Sequence, residues 1–509
     1  MEHICKYSED GKKLLKVDYT YEGTIEIAYG VEEIEEGAFQ FSRASNVIIP
    51  ETVTKIGRIA FKQNTRIKNL TIPNSVTQIG EGAFVGMRIE EIILPNRIDE
   101  IPNFCFSSCE SLQNIRIPFS VRIIGNDAFK NCISLRELSL PLSVESIEEG
   151  AFFNCNRLEL IQIPPKIETI RACVFSDCNA LKEVVLPKCL KRIEEFAFNE
   201  CYSLSNIELP TSIQYIGNSA FGGCANLKDI EVPISVKYIG DCAFNGCLNL
   251  KCLELSSHVE FIGHHIYNFI SDKDRFYLDP DNKNICCENG IIYDKEKTVL
   301  ISFPYDLDAS TFNFPDTVKK INQHAFFGNE VTKSIRIPGT INEIGESAFA
   351  ACGELESCIL PSNLKEIPKR VFEGCSKLKN VNLPSSIKEI KNCAFIYCDN
   401  LTNIELPEGL ERIEAGAFLW CNIRSITIPK SLKYIDQDGF DFNVLAELHL
   451  KSENPNSLYI EKSFYDENKD YWENSVFNNI TLYVPVGTSS LYKHSSFWSQ
   501  FSGIHTERK

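Results

Sequence analysis

A chain of 509 residues with 43% hydrophobic and 11% aromatic residues carries ample apolar material for a core and is not a disordered polymer. Its 69 acidic and 52 basic residues leave a net charge of −17. That argues against nucleic acid and anionic membrane surfaces as general partners and permits a basic protein partner. Apolar runs are strand-sized, such as Val299 to Ile301, far short of the roughly 20 residues of a membrane-spanning helix.

The start, Met1 to Asp10, has no basic region followed by an apolar stretch. This predicts a cytoplasmic chain, with the cell surface reached by an unconventional route as the alternative. Cys5 to Tyr7, a turn over Ser8 to Gly11, and Lys12 to Val17 read as a hairpin. Then the chain becomes periodic. Phe39, Phe61, Phe84, Phe106, Phe129, Phe152, Phe175, Phe198, Phe221 and Phe244 follow one another at 22 or 23 residues, each preceded by a small or short residue. After a gap the series resumes at Phe326, Phe349, Phe372, Phe395, Phe418 and Phe440. Such a period marks a solenoid, in which each coil buries its apolar groups only against its neighbours.

The coil from Leu181 to Cys201 shows the design. Val184 and Leu186 alternate with Val185, predicting a short strand with two inward residues. Pro187 lacks an N–H for a ladder and ends it. Leu190 and Ile193 form a second inward pair. Glu194 to Phe198 has acids at its start and apolar residues at helical spacing, predicting a short helical turn. Eleven cysteines stand three residues after the phenylalanine, from Cys109 to Cys247 and from Cys352 to Cys421. Stacked at about 4.8 Å with parallel side chains, they predict buried free thiols rather than disulfides, which fits a reducing compartment.

The strand-ending prolines run from Pro73 to Pro233 and lapse until Pro315. In between, Asn289 to Tyr293, a turn at Asp294 to Lys297, and Thr298 to Phe303 predict a second hairpin that mirrors the N-terminal one. Beyond Leu450 residues 451–475 are polar. A strand over Ile480 to Gly487 and a helix over Leu491 to Phe501, with Trp498, predict a closing cap, since an end coil otherwise exposes its core.

The phrase Ile-x-(Ile/Val)-Pro-x-Ser-Val-x-x-Ile-Gly-x-x-Ala-Phe-x-x-Cys, spelled nearly in full from Ile115 to Cys132 and from Ile230 to Cys247, resembles the BspA-type leucine-rich repeat of bacteria and some unicellular parasites. The resemblance covers nearly the whole chain. It implies an α/β solenoid, a right-handed leucine-rich-repeat superhelix of ~22–23-residue coils with short strands and short helical turns. It also implies protein binding, several members being surface adhesins for host proteins. The expected organisation is a hairpin cap over 1–24, a first array over 25–270, a hairpin insertion over 271–311, a second array over 312–450 and a C-terminal cap over 451–509.

Chemistry is sparse. His264, His265, Cys286 and Cys287 invite a zinc site and a metal-dependent enzyme centred on 264–287. Adjacent pairs do not match the two-to-four-residue ligand spacing such sites use, and no metal or cofactor is expected. Asp279 to Lys283 begins like a calcium loop, but Lys283 takes a ligand position and Gly290 stands where the bidentate glutamate belongs. No glycine-rich phosphate loop occurs. The expectation is a non-enzymatic protein-binding scaffold acting through its sheet face, with no nucleic acid and no membrane insertion; the alternative is a cell-surface adhesin. On that face one outward column reads Asn69, Glu91, Asn114, Glu137, Leu160, Glu183, Asn206, Asp229 and Cys252. The other reads Thr71, Ile93, Arg116, Ser139, Gln162, Val185, Glu208, Glu231 and Glu254. Like charges stacked along a sheet repel, so Glu208, Asp229, Glu231 and Glu254 are the candidate binding residues. Lys228 and Lys251 lie near enough in sequence to neutralise them. The second array's columns (Ser357, Asn380, Asn403 and Arg336, Ile359, Asn382, Glu405) are mostly uncharged.

Overall fold

The structure is a computed structural model that describes residues 4–266, 276–436, 438–461 and 477–507. The described residues up to Asn284 belong to one compact unit and those from Ile285 to a second. Both are β-solenoids, with about 20 coils of about 23 residues in the chain.

Each coil has three sides, and the coil around Phe198 shows why. Glu183–Val185 forms the first strand, with Val184 buried between two exposed neighbours. It pairs in parallel with Leu160–Gln162 in the preceding coil and with Asn206–Ile207 in the next. Leu190 N–H closes a turn on the Pro187 carbonyl at 3.1 Å. The second strand, Arg192–Ile193, lies parallel between Thr169–Ile170 and Tyr215–Ile216. Period-2 alternation therefore sends Val184 and Ile193 inward and their neighbours to solvent.

The third side, where a short helical turn is predicted, is instead a run of tight turns. Asn199 N–H donates to Phe196 O at 3.1 Å and Cys201 N–H to Phe198 O at 3.3 Å, inside the coil. Between them, Phe196, Phe198 and Glu200 donate to Asn218, Ala220 and Gly222 of the next coil, at 2.9, 2.8 and 2.6 Å. Amides thus alternate between closing a turn and joining two coils. A helix would use every amide within its own segment and leave the coils unjoined on this side. The alternation requires left-handed backbone two residues before and two after the phenylalanines from Phe39 to Phe244 and from Phe326 to Phe418, here Phe196 at φ 56° and Glu200 at φ 60°. Such residues are unfavourable singly, and the cross-coil bonds hold them. Among the described residues the α-helix is Ser489–Lys493 alone.

The core is a set of columns. From Phe39 to Phe244 successive rings stack with centroids 4.7–5.6 Å apart and nearly parallel planes. In the second unit the stack begins one coil earlier than the sequence reading has it, at Phe303, which lies 4.5 Å from Phe326, and continues to Phe440. The eleven column cysteines are buried, and all 21 cysteines are free thiols. Each column thiol donates to the carbonyl of the phenylalanine one coil back, as in Cys201 Sγ to Phe175 O at 3.1 Å and Cys375 Sγ to Phe349 O at 3.0 Å. The cysteine is therefore more than a small hydrophobe filling a corner: it occupies the second lone pair of a buried carbonyl.

Both units open on a hairpin. Cys5–Tyr7 pairs antiparallel with Lys13–Val17, which then runs parallel to Glu33–Ile34. In the second unit Ile285–Glu288, Ile291–Asp294 and Val299–Ser302 form an antiparallel meander whose last strand runs parallel to Lys320–Ile321. Phe276–Leu278 adds a parallel strand beside Leu253–Leu255 in the first unit; the part of the 264–287 segment at 267–275 lies outside the described residues. At the other end, Ser425–Ile428, Glu447–Leu450, Thr481–Val484 and Gly503–Thr506 form one parallel sheet. The helix expected over Leu491 to Phe501 stops at Lys493, and Trp498 and Phe501 are buried, Phe501 beside Phe477 and Trp498 beside Phe501, before the chain forms the last strand. Of the polar segment 451–475, residues 462–475 lie outside the described residues.

Phe198 stacks on Phe175 and Phe221 at 5.4 Å and is fully buried. Phe198→Ala should lower stability by about 3–5 kcal/mol, read as the shift of the urea midpoint, whereas Phe196→Ala, on an exposed ring in the same turn, should cost under about 1.5 kcal/mol.

Candidate functional site

Parallel register brings the predicted columns into line. Glu137 bridges to Leu160, Leu160 pairs with Glu183, Glu183 with Asn206, and Asn206 bridges to Asp229. Glu208, Asp229, Glu231 and Glu254 are all exposed on this face. Asp229 is an ion-pair partner of Lys251 at 3.2 Å. Glu208, Glu231 and Glu254 make no ion pair and no hydrogen bond among the described residues. Lys228 pairs with none of them. The proximity of the lysines in sequence thus neutralises one of the four acids.

Elsewhere in the first unit, charges are commonly paired from coil to coil. Lys12 meets Glu32 at 2.8 Å, Lys68 meets Glu90 at 2.7 Å, Glu145 is clasped by Arg122 and Lys166, and Lys191 and Lys237 meet Glu168 and Glu260 at 2.8 Å. Exposed pairs of this kind contribute only about 0–1 kcal/mol each, but they leave those columns electrically quiet. Other exposed acids, among them Glu91, Glu137 and Glu183 on the same face, also lack ion pairs among the described residues, so alignment rather than lack of pairing distinguishes the Glu208, Glu231 and Glu254 column.

Sequence reasoning places Ile93, Leu160 and Val185 on this face but misses the apolar residues beside them. Phe119 is 77% and Leu142 68% exposed, although both sit in the repeat slot directly after a strand-ending proline. Ile93, Leu160 and Val185 are exposed with them. Phe119, Leu142, Leu160 and Pro164 line an open groove of about 700 Å³. A second groove, about 560 Å³, is lined by Glu183, Val185, Lys188 and Glu208 among others. Tyr277 extends the face: it lies opposite Glu254 in the register and is half exposed. Its strand falls where the sequence period is lost, so nothing in the spacing points to it. On the second unit, Ser334 pairs with Ser357 and Ser357 with Asn380. Asn382 turns its carbonyl oxygen to the Leu360 amide at 2.8 Å, so part of that column serves its own backbone.

The residues behind the metal reading have local partners. His264 is buried, and its Nδ1 lies 2.8 Å from Asp241 Oδ1. Cys286 and Cys287 are adjacent on the strand Ile285–Glu288 and so face opposite ways. Burial pushes the Cys287 thiol up to about 11, away from the thiolate that zinc binds. Among the described residues no group of three or more His, Cys, Asp or Glu is placed to hold a metal ion. Burial likewise pushes Cys109, Cys178 and Cys247 up to about 12, the opposite of what a nucleophile needs. No helix among the described residues is long and apolar enough to cross a membrane.

Coils, columns and period define a leucine-rich-repeat solenoid. The model of the BspA-type leucine-rich repeat region matches residues 32–159, 145–273, 301–399 and 378–481, and the chain belongs to that family. Solved structures similar to it include a leucine-rich repeat protein from Bacteroides ovatus, at 24% identity over 91% of this chain and 99% of that one, with a TM-score of 0.41. A leucine-rich cell surface protein from Faecalibacterium prausnitzii is 22% identical over 94% and 95%, with a TM-score of 0.38. A leucine-rich repeat protein from Eubacterium ventriosum is 19% identical over 65% and 83%, with a TM-score of 0.40. No curated protein matches the chain.

Thirteen thiols are buried and eight are partly exposed. With a small aromatic disulfide reagent at pH 8, no more than the eight partly exposed thiols should react before unfolding, and the thirteen buried ones should appear only in denaturant. The raised thiols also set an alkaline limit. The unfolded chain releases these protons near the ordinary value of 9.0 and the folded chain only near 12, so folding takes protons up between the two. Stability should therefore be full below pH 9 and fall as pH rises from 9 towards 12, seen as a falling urea midpoint.

Proposed function

We propose that this protein is a non-enzymatic binding scaffold that holds a protein partner along the outward face of its first-strand sheet. Solenoids of this family are typically interaction or surface scaffolds and generally non-enzymatic. The observation that carries the reading is the column of Glu208, Glu231 and Glu254. These are exposed carboxylates without ion-pair partners among the described residues, aligned at one repeat position of three successive coils. Asp229, held by Lys251, flanks them. A stack of like charges costs a few tenths of a kcal/mol per pair when solvated, and a basic partner would relieve that cost.

The same face would serve a scaffold inside the cell or an adhesin outside it. Protease shaving of intact cells separates the two: an internal scaffold survives, an adhesin is cut.

The test of the face is capture from lysate of the native organism with the wild-type chain and with a Glu208→Lys, Glu231→Lys, Glu254→Lys variant of unchanged melting temperature. A partner bound by wild type should be lost about ten-fold or more by the variant. Equal capture by both would overturn the acidic column as the binding site.

A further inference from the structure

We infer that the partner is presented as an extended peptide segment whose apolar side chains enter the Phe119–Leu142–Leu160 groove and whose lysine or arginine side chains meet the Glu208–Glu231–Glu254 column. This rests on the binding face proposed above and assigns its ligand chemistry. Three observations on one surface carry it.

The first is the groove itself. Phe119 and Leu142 expose most of their surface and, with Leu160 and Pro164, line a space of about 700 Å³ that Arg136, Glu137 and Glu159 also border. Scattered exposed apolar residues are ordinary, but a contiguous set lining a groove marks an interaction site. The second is charge. The adjoining groove is lined by Glu183 and Glu208, with Lys188 as the single cation among its lining residues, and Glu231 and Glu254 continue the acids. Tyr277 stands opposite Glu254, where a ring can hold a cation as well.

The third is continuity. Parallel register runs from Glu137 through Leu160, Glu183 and Asn206 to Asp229. The groove and the acids therefore lie on consecutive coils of one face, with Val185 between them, Glu137 on the groove side and Ile234 exposed among the acids. Six coil steps separate the strands of Phe119 and Glu254, roughly 29 Å at the ~4.8 Å spacing of strands. An extended peptide covers that length in about nine residues at ~3.3 Å each. A compact basic domain would touch the acids without filling the groove. A purely apolar helix would fill the groove and leave the acids unpaired.

The probe is a fluorescein-labelled peptide of about twelve residues carrying Leu, Phe and Leu in one half and three Lys in the other, together with its reversed-order counterpart, since the strand direction of the ligand is open. Anisotropy titration against the full chain should show one of the two binding at least ten-fold more tightly than the same peptide with Glu for Lys, with affinity falling as salt rises. Phe119→Ser with Leu142→Ser should weaken binding about ten-fold or more, and so should the triple Glu→Lys variant. All substituted side chains are exposed, so melting temperatures should match wild type. No preference for Lys over Glu in either orientation, or less than a ten-fold loss in either variant, would overturn the assignment. The two proposals fail separately. A cellular partner lost by the triple variant with no peptide bound leaves the face standing and removes only this ligand chemistry. Capture unaffected by the triple variant removes the face.

Discussion

Every coil of this molecule has to be completed by the next one, and the backbone hydrogen bonds of the third side show how strictly. Amides on either side of each phenylalanine alternate between closing a turn and donating to the following coil, so half of that segment's polar groups are satisfied only from outside. The phenylalanine between them stacks on the ring of the next coil, and the cysteine after it donates to the coil behind. Apolar burial and polar satisfaction therefore depend on one spacing. A shift of one residue within the turn that carries the phenylalanine would strand amides, rings and thiols together. This accounts for a period held at 22 or 23 residues over the length of each array.

The same constraint explains the ends. A terminal coil offers amides and apolar groups with nothing to complete them. Each unit meets this at its start with an antiparallel hairpin, and only the hairpin's second strand joins the stack in parallel. Antiparallel pairing suits a cap because a short turn returns the chain directly, without a full coil. The second unit closes on Phe477, Tyr492, Trp498 and Phe501, whose bulk fills the end of the core in place of the missing coil.

Columns that recur by spacing were legible without coordinates: the phenylalanines, the cysteines, the strand-ending prolines and the outward pairs of the sheet face. Conformation that many side chains can adopt was not. The left-handed positions two residues either side of phenylalanine are filled by Phe196, Glu200, Asn131, His324 and Trp420 as well as by glycines, so no residue type announces them. The third side therefore reads as a helical turn from its acids and apolar spacing. Phe303 was missed in the ring stack because it sits at the end of a hairpin strand, beyond the break in the phenylalanine spacing after Phe244. On the face, charge was readable as a column, but pairing was not. Lys251 reaches Asp229 while Lys228, with the same sequence offset to the strand, does not. Phe119 and Leu142 were passed over because their slot varies from coil to coil, being asparagine at Asn74 and Asn96 and lysine at Lys188.

That variability is where a solenoid of this kind can acquire a partner. Its interior slots are fixed by stacking, since each ring and thiol answers to two neighbours, and change there is expensive. The outward slots answer to nothing within the coil beyond remaining compatible with a strand. A change such as Asn to Phe after a strand-ending proline alters the surface of one coil and costs the fold little. Affinity must then accumulate from several coils, because one exposed side chain per coil offers too little area, and buried area alone does not set affinity. Exposed apolar side chains on some coils and aligned carboxylates on the coils beyond them form a pattern that only such accumulation can read. It discriminates by order along the axis rather than by the shape of any one pocket, which suits an extended ligand better than a folded one.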